Sequence, residues 1–538
     1  MQMPTPAHKT VETTVKPFDE IVHERGSALL SFGPQLWSAA DRLRGHLDAA
    51  EYKHIVLGLI FLRFLSTTDD VPLEQMAFVW KGEVVASNRK DGHRNGSSVE
   101  LSSFAVPEES SWRFICGKAY TSSIGRTLDR AMEVLEQANP ILAGALPKIF
   151  VRTGLAGSKL GELIGVISEI DFTDYNGSRA DILGRVYEYF LGRFASTEGK
   201  RGGEFYTPPS IVRLLVETLE PFSGTVYDPC CGSGGLFIQS QRFIDEHGGN
   251  PGELRLFGQE SNPGTWRLAR MNMAIHGLKV NLGLKAADTF SEDLHSELRA
   301  DYILANPPFN MSYWTSKPML SDSRWKFGKP NSGNANFAWI QHMIQHLSPC
   351  GRAGFVMANG SLSVQSGSDG DIRRAIVDAD LVDCVVSLPS QLFFNTSIPV
   401  SLWFLARDKA DARYRDRRRR TLFIDARHMG TMVDRIHREL TEDDVALISK
   451  AYIDWCHLDG KRRHALDPGF SAEATVEEIR HHRYALVPGR YVGFAPRESV
   501  QWNPKVLRKE LNEIEQQLAG IDTASRSALT LLRELLHG

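Results

Sequence analysis

From Gly202 to about residue 470, short apolar runs alternate with segments of helical periodicity, and this alternation restricts the fold more than any other feature of the chain. The runs are Thr225–Tyr227, Leu254–Gly258, Tyr302–Ala305, Gly354–Met357, Val382–Ser387 and Ser401–Arg407. Runs this short read as strands, and their near-continuous apolar character suits strands buried on both faces. Spaced by helix-length segments, they predict βαβ units and a mostly parallel, doubly wound sheet. The predicted class is α/β.

The flanks read differently. Residues 1–33 are polar and aperiodic, a flexible arm. Helical periodicity begins at Leu36 and returns through Ser123–Gln137, Gly161–Ile170 and Asp181–Ala195, with a polar loop at Lys81–Ser103. The chain is therefore divided into the arm (1–33), an all-α N-terminal domain (34–175), an α/β domain (176–475) and a C-terminal extension (476–538). In the extension Leu507, Leu511, Ile514, Leu518, Ile521, Ser525, Ala528, Leu532 and Leu535 follow a 4-3-4-3 spacing, an a/d seam interrupted by Ser525. Such a helix either folds back onto its own domain or serves as a coiled-coil handle for another subunit.

The 538 residues carry 62 Lys and Arg against 65 Asp and Glu, a formal charge of −3. Proteins that grip nucleic acid unaided usually show a basic excess, so any basic surface here is local or is supplied by a partner. Six scattered cysteines without CxxC or Cys/His ligand spacing argue against a disulfide framework and against structural zinc. No metal is expected. The longest apolar stretch, Ile55–Leu65, contains Arg63 and is too short to cross a bilayer. Met1–Pro34 holds no signal-peptide core, so the expected location is cytoplasmic, away from membranes.

The chemistry begins where the first strand ends. Asp228-Pro229-Cys230-Cys231-Gly232-Ser233-Gly234-Gly235 is an acid-headed, glycine-rich turn that leads into an apolar helix. Its glycines permit close backbone approach to a nucleotide-type ligand. A pyrophosphate would prefer this corner without a carboxylate. Asp228 instead suits a ligand with an ammonium or sulfonium centre, and S-adenosylmethionine carries both. The second strand ends in Glu260, an acid placed to accept ribose hydroxyls. Asp288 falls where a third strand should end, within reach of an adenine amino group. Upstream, Glu204-Phe205-Tyr206-Thr207-Pro208-Pro209 precedes a helix starting at Ser210, and Tyr206 and Thr207 can pack over the cofactor.

The sharpest signal is Asn306-Pro307-Pro308-Phe309, which ends the strand Asp301–Ala305. An exocyclic adenine amine is a poor nucleophile because its lone pair is delocalised into the ring. Two acceptors set against its two N–H bonds favour a pyramidal nitrogen and turn that lone pair toward a methyl donor. Asn306 Oδ1 can be one acceptor and the Pro307 carbonyl the other. Pro307 and Pro308 fix φ and remove competing donors. Phe309 can stack on a base extruded from the duplex.

These residues combine with Leu36–Ser66, Asp181–Phe194, the Gln259-Glu260 strand end, Met271–Gly277 and Leu388–Pro399 into a pattern over roughly residues 30 to 500. The pattern resembles the modification subunit of type I restriction–modification systems. The resemblance implies a class I, Rossmann-like methyltransferase domain behind a helical N-terminal domain. It implies adenine-N6 methylation of double-stranded DNA from S-adenosylmethionine, protecting host DNA from cleavage. A specificity subunit bound by two modification subunits, and a restriction subunit that joins for cleavage, are the partners it implies. By the same resemblance the cofactor contacts carry over to Glu204–Pro209, Ser233–Gly235, Glu260 and Asp288.

Alternatives stay open at this point. The acceptor could be an RNA base or a protein glutamine, the enzyme could be a nicotinamide-dependent dehydrogenase, or the chain could be a scaffold for a DNA-cleaving complex. Arg413–Arg420 reads as a solvated hairpin tip or as a phosphate or partner contact. Ser312–Asn334 reads as a mobile loop, either without function or a lid over the extruded base. Phe393 and Phe394 are aromatic core or DNA contacts, and Cys230 and Cys231 read as small buried filling.

Overall fold

The computed structural model describes residues 37, 38, 41, 49–66, 104–169, 186–194, 207–315, 322–365, 367–393, 398–457 and 466–494. The N-terminal arm, the Lys81–Ser103 loop, Glu204–Tyr206, Phe394 and the seam beyond Val506 lie outside these residues.

The front of the chain is helical. Helix α1 (Ala49–Ser66) is buried at Ile55–Leu57 and Leu59–Leu62, as an apolar helix must be. Helices α2 (Trp112–Lys118), α3 (Ile124–Ala138) and α4 (Gly157–Ser168) pack around it. In α3 the buried residues Ile124, Leu128, Ala131, Met132 and Leu135 recur at helical spacing and form one stripe. Residues 186–194, also helical, add Tyr187, Phe190 and Phe194 to the same core.

A nine-stranded sheet follows. Its strands are β1 (Gly224–Asp228), β2 (Leu254–Gly258), β3 (Val280–Asn281), β4 (Ala300–Ala305), β5 (Leu347–Ala358), β6 (Val382–Ser387), β7 (Val400–Ala406), β8 (Arg420–Asp425) and, after a separate two-stranded ribbon β9 and β10 (Thr431–Met432 and Arg438–Glu439), β11 (Ser471–Thr475). The order is β11-β8-β6-β7-β5-β4-β1-β2-β3. All six strands expected from the apolar runs are present. The sheet is mixed: β7 runs antiparallel to β5 and β6, and β11 antiparallel to β8.

Both faces are covered, which is why the strands read as near-continuous apolar runs. Helices α5 (Pro209–Leu219), α6 (Gly235–Glu246), α7 (Pro263–Ile275) and α10 (Glu442–Cys456) bury their apolar residues on one face. Helices α8 (Asn336–His346), α9 (Gly367–Asp378) and α11 (Val476–His481) cover the other. From β1 the chain winds outward through β2 to β3, and from β4 outward in the opposite direction. The reversal falls between β1 and β4, and open α/β sheets bind ligands beyond the carboxyl ends of the strands at such a point.

Three sequence readings change. Val476, Ile479, Leu486 and Val492, assigned to the C-terminal extension, pack into the core of the sheet. Their short spacing on a six-residue helix and a turn carried too weak a periodicity to place them there. In the arginine run Arg413, Arg418, Arg419 and Arg420 stay solvated while pairing with Asp411, Asp416, Glu477 and Glu473, and the half-buried Arg415 also pairs with Glu473; the change is at Arg417. Arg417 is fully buried against Asp383 at 3.2 Å, where Tyr452 Oη also donates to Asp383. The described parts of the 312–334 segment are anchored, because Trp314 and Trp325 are buried beside Phe290. Arg324 secures the same segment by donating to the carbonyls of Thr289 and Phe290.

Candidate active site

The β1 and β4 registers align Val226 with Tyr302 and Tyr227 with Ile303. Asp228 and Asn306 therefore leave the same end of two adjacent parallel strands, which lie about 4.8 Å apart. Both line one cavity, together with Thr207, Pro209, Gly232, Ser233 and Gly235. Including its open mouth, the cavity encloses about 1130 Å³.

The glycine turn has the geometry its sequence requires. Gly232 and Gly234 have φ of 54° and 84°. A Cβ on Gly234 would also lie 2.5 Å from Met273 Cε. The Cys231 N–H donates to the Gln259 carbonyl and the Gly234 N–H to the Cys231 carbonyl, which fixes the turn against the end of β2. Cys230 and Cys231 both line the cavity, so they are part of its wall as well as filling.

Asp228 is almost fully buried, and its Oδ1 accepts the Cys230 N–H at 3.0 Å. Burial, reinforced by the nearby Glu260 carboxylate, pushes its pKa from 3.8 up to about 7. A desolvated carboxyl held this way becomes a strong partner for a cation that enters the cavity.

Asn306 shows the most informative arrangement. Its Nδ2 donates to Thr207 Oγ1 at 2.9 Å, while its Oδ1 is buried without a hydrogen-bond partner among the described residues. A buried acceptor left this way costs about 1–3 kcal/mol, and a donor arriving with a substrate would remove that cost. Thr207 thus orients the amide, a role the sequence reading did not assign. Phe309 is buried and meets Phe393 edge to face at 5.7 Å, so Phe393 is aromatic packing behind the Asn306–Phe309 turn.

Glu260 and Asp288 do not line the cavity wall formed by these groups. Glu260 sits just past β2, and its carboxylate accepts the Gly232 and Asn262 N–H groups at 3.1 and 2.7 Å. Asp288 Oδ1 caps a turn by accepting from Phe290 and Ser291.

The sequence reading also missed a contribution from the helical domain. Lys53 and Glu188 reach the cavity, and Glu188 pairs with Arg242 of α6 at 3.0 Å. Helix α7 joins the two regions: Leu268, Met271, Ala274 and Ile275 enter the N-terminal core, and Trp266, Ala269 and Met273 enter the sheet core. Away from the cavity, Asp293, His342 and His346 come together, but hydrogen bonds with Tyr227, Arg324, the Leu298 carbonyl and Asp293 itself take up all four imidazole nitrogens.

Residues 178–499 match the N-6 DNA Methylase family, and residues 32–169 match the HsdM N-terminal domain. The chain belongs to the N-6 DNA methylase family. The HindI type I restriction enzyme methylase subunit of Haemophilus influenzae is 47% identical over 386 residues, 70% of this chain and 84% of that relative. The MjaIX methylase subunit of Methanocaldococcus jannaschii is 36% identical over 501 residues, 90% of this chain and 87% of the other. A crystal structure of a type I methyltransferase subunit from Streptococcus thermophilus shares the fold with a TM-score of 0.67 at 24% identity, covering 86% of this chain and 99% of that one. Membership in this family of type I methylase subunits favours a DNA acceptor over the RNA, glutamine, dehydrogenase and scaffold alternatives. No described helix is long and apolar enough to cross a membrane.

Proposed function

We propose that this methylase acts as the modification subunit of a type I restriction–modification complex and methylates adenine N6 in double-stranded DNA, with S-adenosylmethionine as donor. The reading is carried by the buried, unpartnered Oδ1 of Asn306 in the same cavity as Asp228.

The cavity fits that cofactor. Asp228 offers a desolvated carboxyl to a cation and Gly232–Gly235 offers a close backbone cradle; Glu260, outside the cavity lining and held by the Gly232 and Asn262 N–H groups, is the residue we place at the ribose hydroxyls. Thr207 and Pro209 line the cavity at the start of α5, and we place Glu204, Phe205, Tyr206 and Pro208 with them. Asp288 takes the adenine side. When bound, the cofactor supplies an electrophilic methyl group on a sulfonium.

The chain's own residues prepare the acceptor. Thr207 holds the Asn306 amide so that Oδ1 faces the incoming amine. Oδ1 and the Pro307 carbonyl accept its two N–H bonds and direct the lone pair to the methyl group. Pro308 stiffens the turn and Phe309 bounds the base pocket. With the donor bound, methyl transfer would exchange a sulfur–carbon bond for a nitrogen–carbon bond, and Asn306 and Pro307 would hold the amine until it loses one proton. Positioning provides most of the acceleration.

The near-neutral net charge supports shared DNA binding. Two modification subunits with one specificity subunit, joined by a restriction subunit for cleavage, are the assembly we propose in the cytoplasm. The seam from Leu507 to Leu535 is its handle. The test is incubation of chain and specificity partner with labelled S-adenosylmethionine and DNA, RNA or protein, followed by modified-base sequencing of the DNA. Label appearing only in RNA or protein, or on a base other than adenine, would refute the reading.

A further inference from the structure

The cofactor cavity contains a second buried amide oxygen without a partner. Asn272 lies on α7, is 1% exposed and lines the cavity. Its Nδ2 donates to the Ser233 carbonyl at 2.9 Å, within the glycine turn. That bond fixes which end of the amide is which: only the N–H end can face a carbonyl. Its Oδ1 is buried and has no hydrogen-bond partner among the described residues. Met271 and Met273 on either side are anchored in the two cores, so the amide cannot swing out to water.

Which ligand group this oxygen meets follows from its place over the sheet. Asn306 follows β4, Asp228 ends β1, Glu260 follows β2, and Asp288 lies beyond β3. With methyl transfer at Asn306, ribose at Glu260 and adenine at Asp288, the amino-acid end of the cofactor lies by the turn after β1, where Asn272 holds Ser233. That end has one kind of strong donor, its ammonium group.

Resting on the cofactor reading above, we propose that Asn272 is a cofactor-binding residue, its Oδ1 accepting from the ammonium of the donor's methionine moiety while its Nδ2 holds the glycine turn. Asp228 and Asn272 then form an acceptor pair from two different elements. One supplies charge and the other a neutral dipole, so the ammonium is held without a second buried carboxylate. Because α7 is shared with the helical domain, this grip also ties cofactor binding to the packing of residues 186–194, where Tyr187 Oη donates to the Leu268 carbonyl at 3.4 Å.

The test is calorimetric titration of the full chain with S-adenosylhomocysteine and with 5′-methylthioadenosine, which lacks the amino-acid end. Asn272→Leu should weaken S-adenosylhomocysteine by about 10- to 100-fold, the range for losing a hydrogen bond to a charged group. Its effect on 5′-methylthioadenosine should stay within about twofold. Asn272→Asp keeps an acceptor and should bind S-adenosylhomocysteine more tightly than the leucine variant; thermal melts of both variants report folding. Equal losses for the two ligands, or wild-type affinity in Asn272→Leu, would overturn the assignment. A wild-type chain that binds neither ligand would instead overturn the cofactor reading itself.

Discussion

Replacing Asp228 with asparagine should stabilise the cofactor-free protein while weakening the cofactor. Asp228 is 1% exposed, and its pKa rises from 3.8 to about 7 because the charged form has lost its water. The sign follows from linkage. The folded chain holds this proton more tightly than the unfolded chain, so stability from this group is complete below about pH 4 and is lost as pH rises to about 7. At 1.36 kcal/mol per pH unit the full loss is roughly 4 kcal/mol at and above neutrality. Asparagine has nearly the same shape, keeps an oxygen for the Cys230 N–H and carries no charge. Its amide protons need an acceptor, which offsets about 1 kcal/mol or more of the gain. The net expectation is about 2–3 kcal/mol of stabilisation at pH 8, falling with pH and reversing to a small destabilisation of roughly 1 kcal/mol at pH 4. Thermal or urea unfolding of both proteins across this range measures the difference, and calorimetry with S-adenosylhomocysteine measures the loss of affinity. A variant less stable at pH 8, or a gap that does not change with pH, would refute the desolvation argument; unchanged affinity would refute the binding role.

Four further outcomes are expected. Asn306→Ala should lower methylation kcat by about 100- to 1000-fold, the scale for removing one transition-state hydrogen bond, while S-adenosylhomocysteine affinity stays near normal; retained turnover would exclude the role given to Oδ1. Thr207→Val should lower kcat about tenfold by freeing the Asn306 amide, with Thr207→Ser close to wild type, as checked by steady-state kinetics. Arg417→Met leaves Asp383 buried without its cation and should cost about 3–5 kcal/mol in urea unfolding. Finally, burial holds His342 well below its usual 6.5, and burial with nearby cations lowers His54 to about 3. The unfolded chain therefore takes up these protons first, and stability present above pH 6.5 is lost below it by about 1.4 kcal/mol per pH unit for each histidine. Urea midpoints at pH 7.5 and 5.5 test this, and His342→Gln should flatten the slope.

The sequence alone determined six of the strands, the helical front of the chain and the two corners that line the cavity. Apolar runs long enough for strands, helix-length spacers, an acid before four small residues and Asn-Pro-Pro-Phe at a strand end are all local, because each depends on backbone preference and side-chain period within a few residues. Tertiary structure decided what distant residues do to each other. The antiparallel insertion of β7 between β5 and β6 depends on pairing across the sheet, to which a one-dimensional pattern is blind. Arg417 and Arg415 read as surface charge with the rest of their run because their acids lie far away in sequence: Asp383 is 34 residues from Arg417, and Glu473 is 58 from Arg415. Thr207 is 99 residues from Asn306 and Asn272 is 39 from Ser233, yet each pair shares a hydrogen bond in the cavity. Whether a carboxyl is desolvated, or an amide oxygen is left without a partner, depends on which chain segments exclude water from it, and only the folded arrangement specifies that.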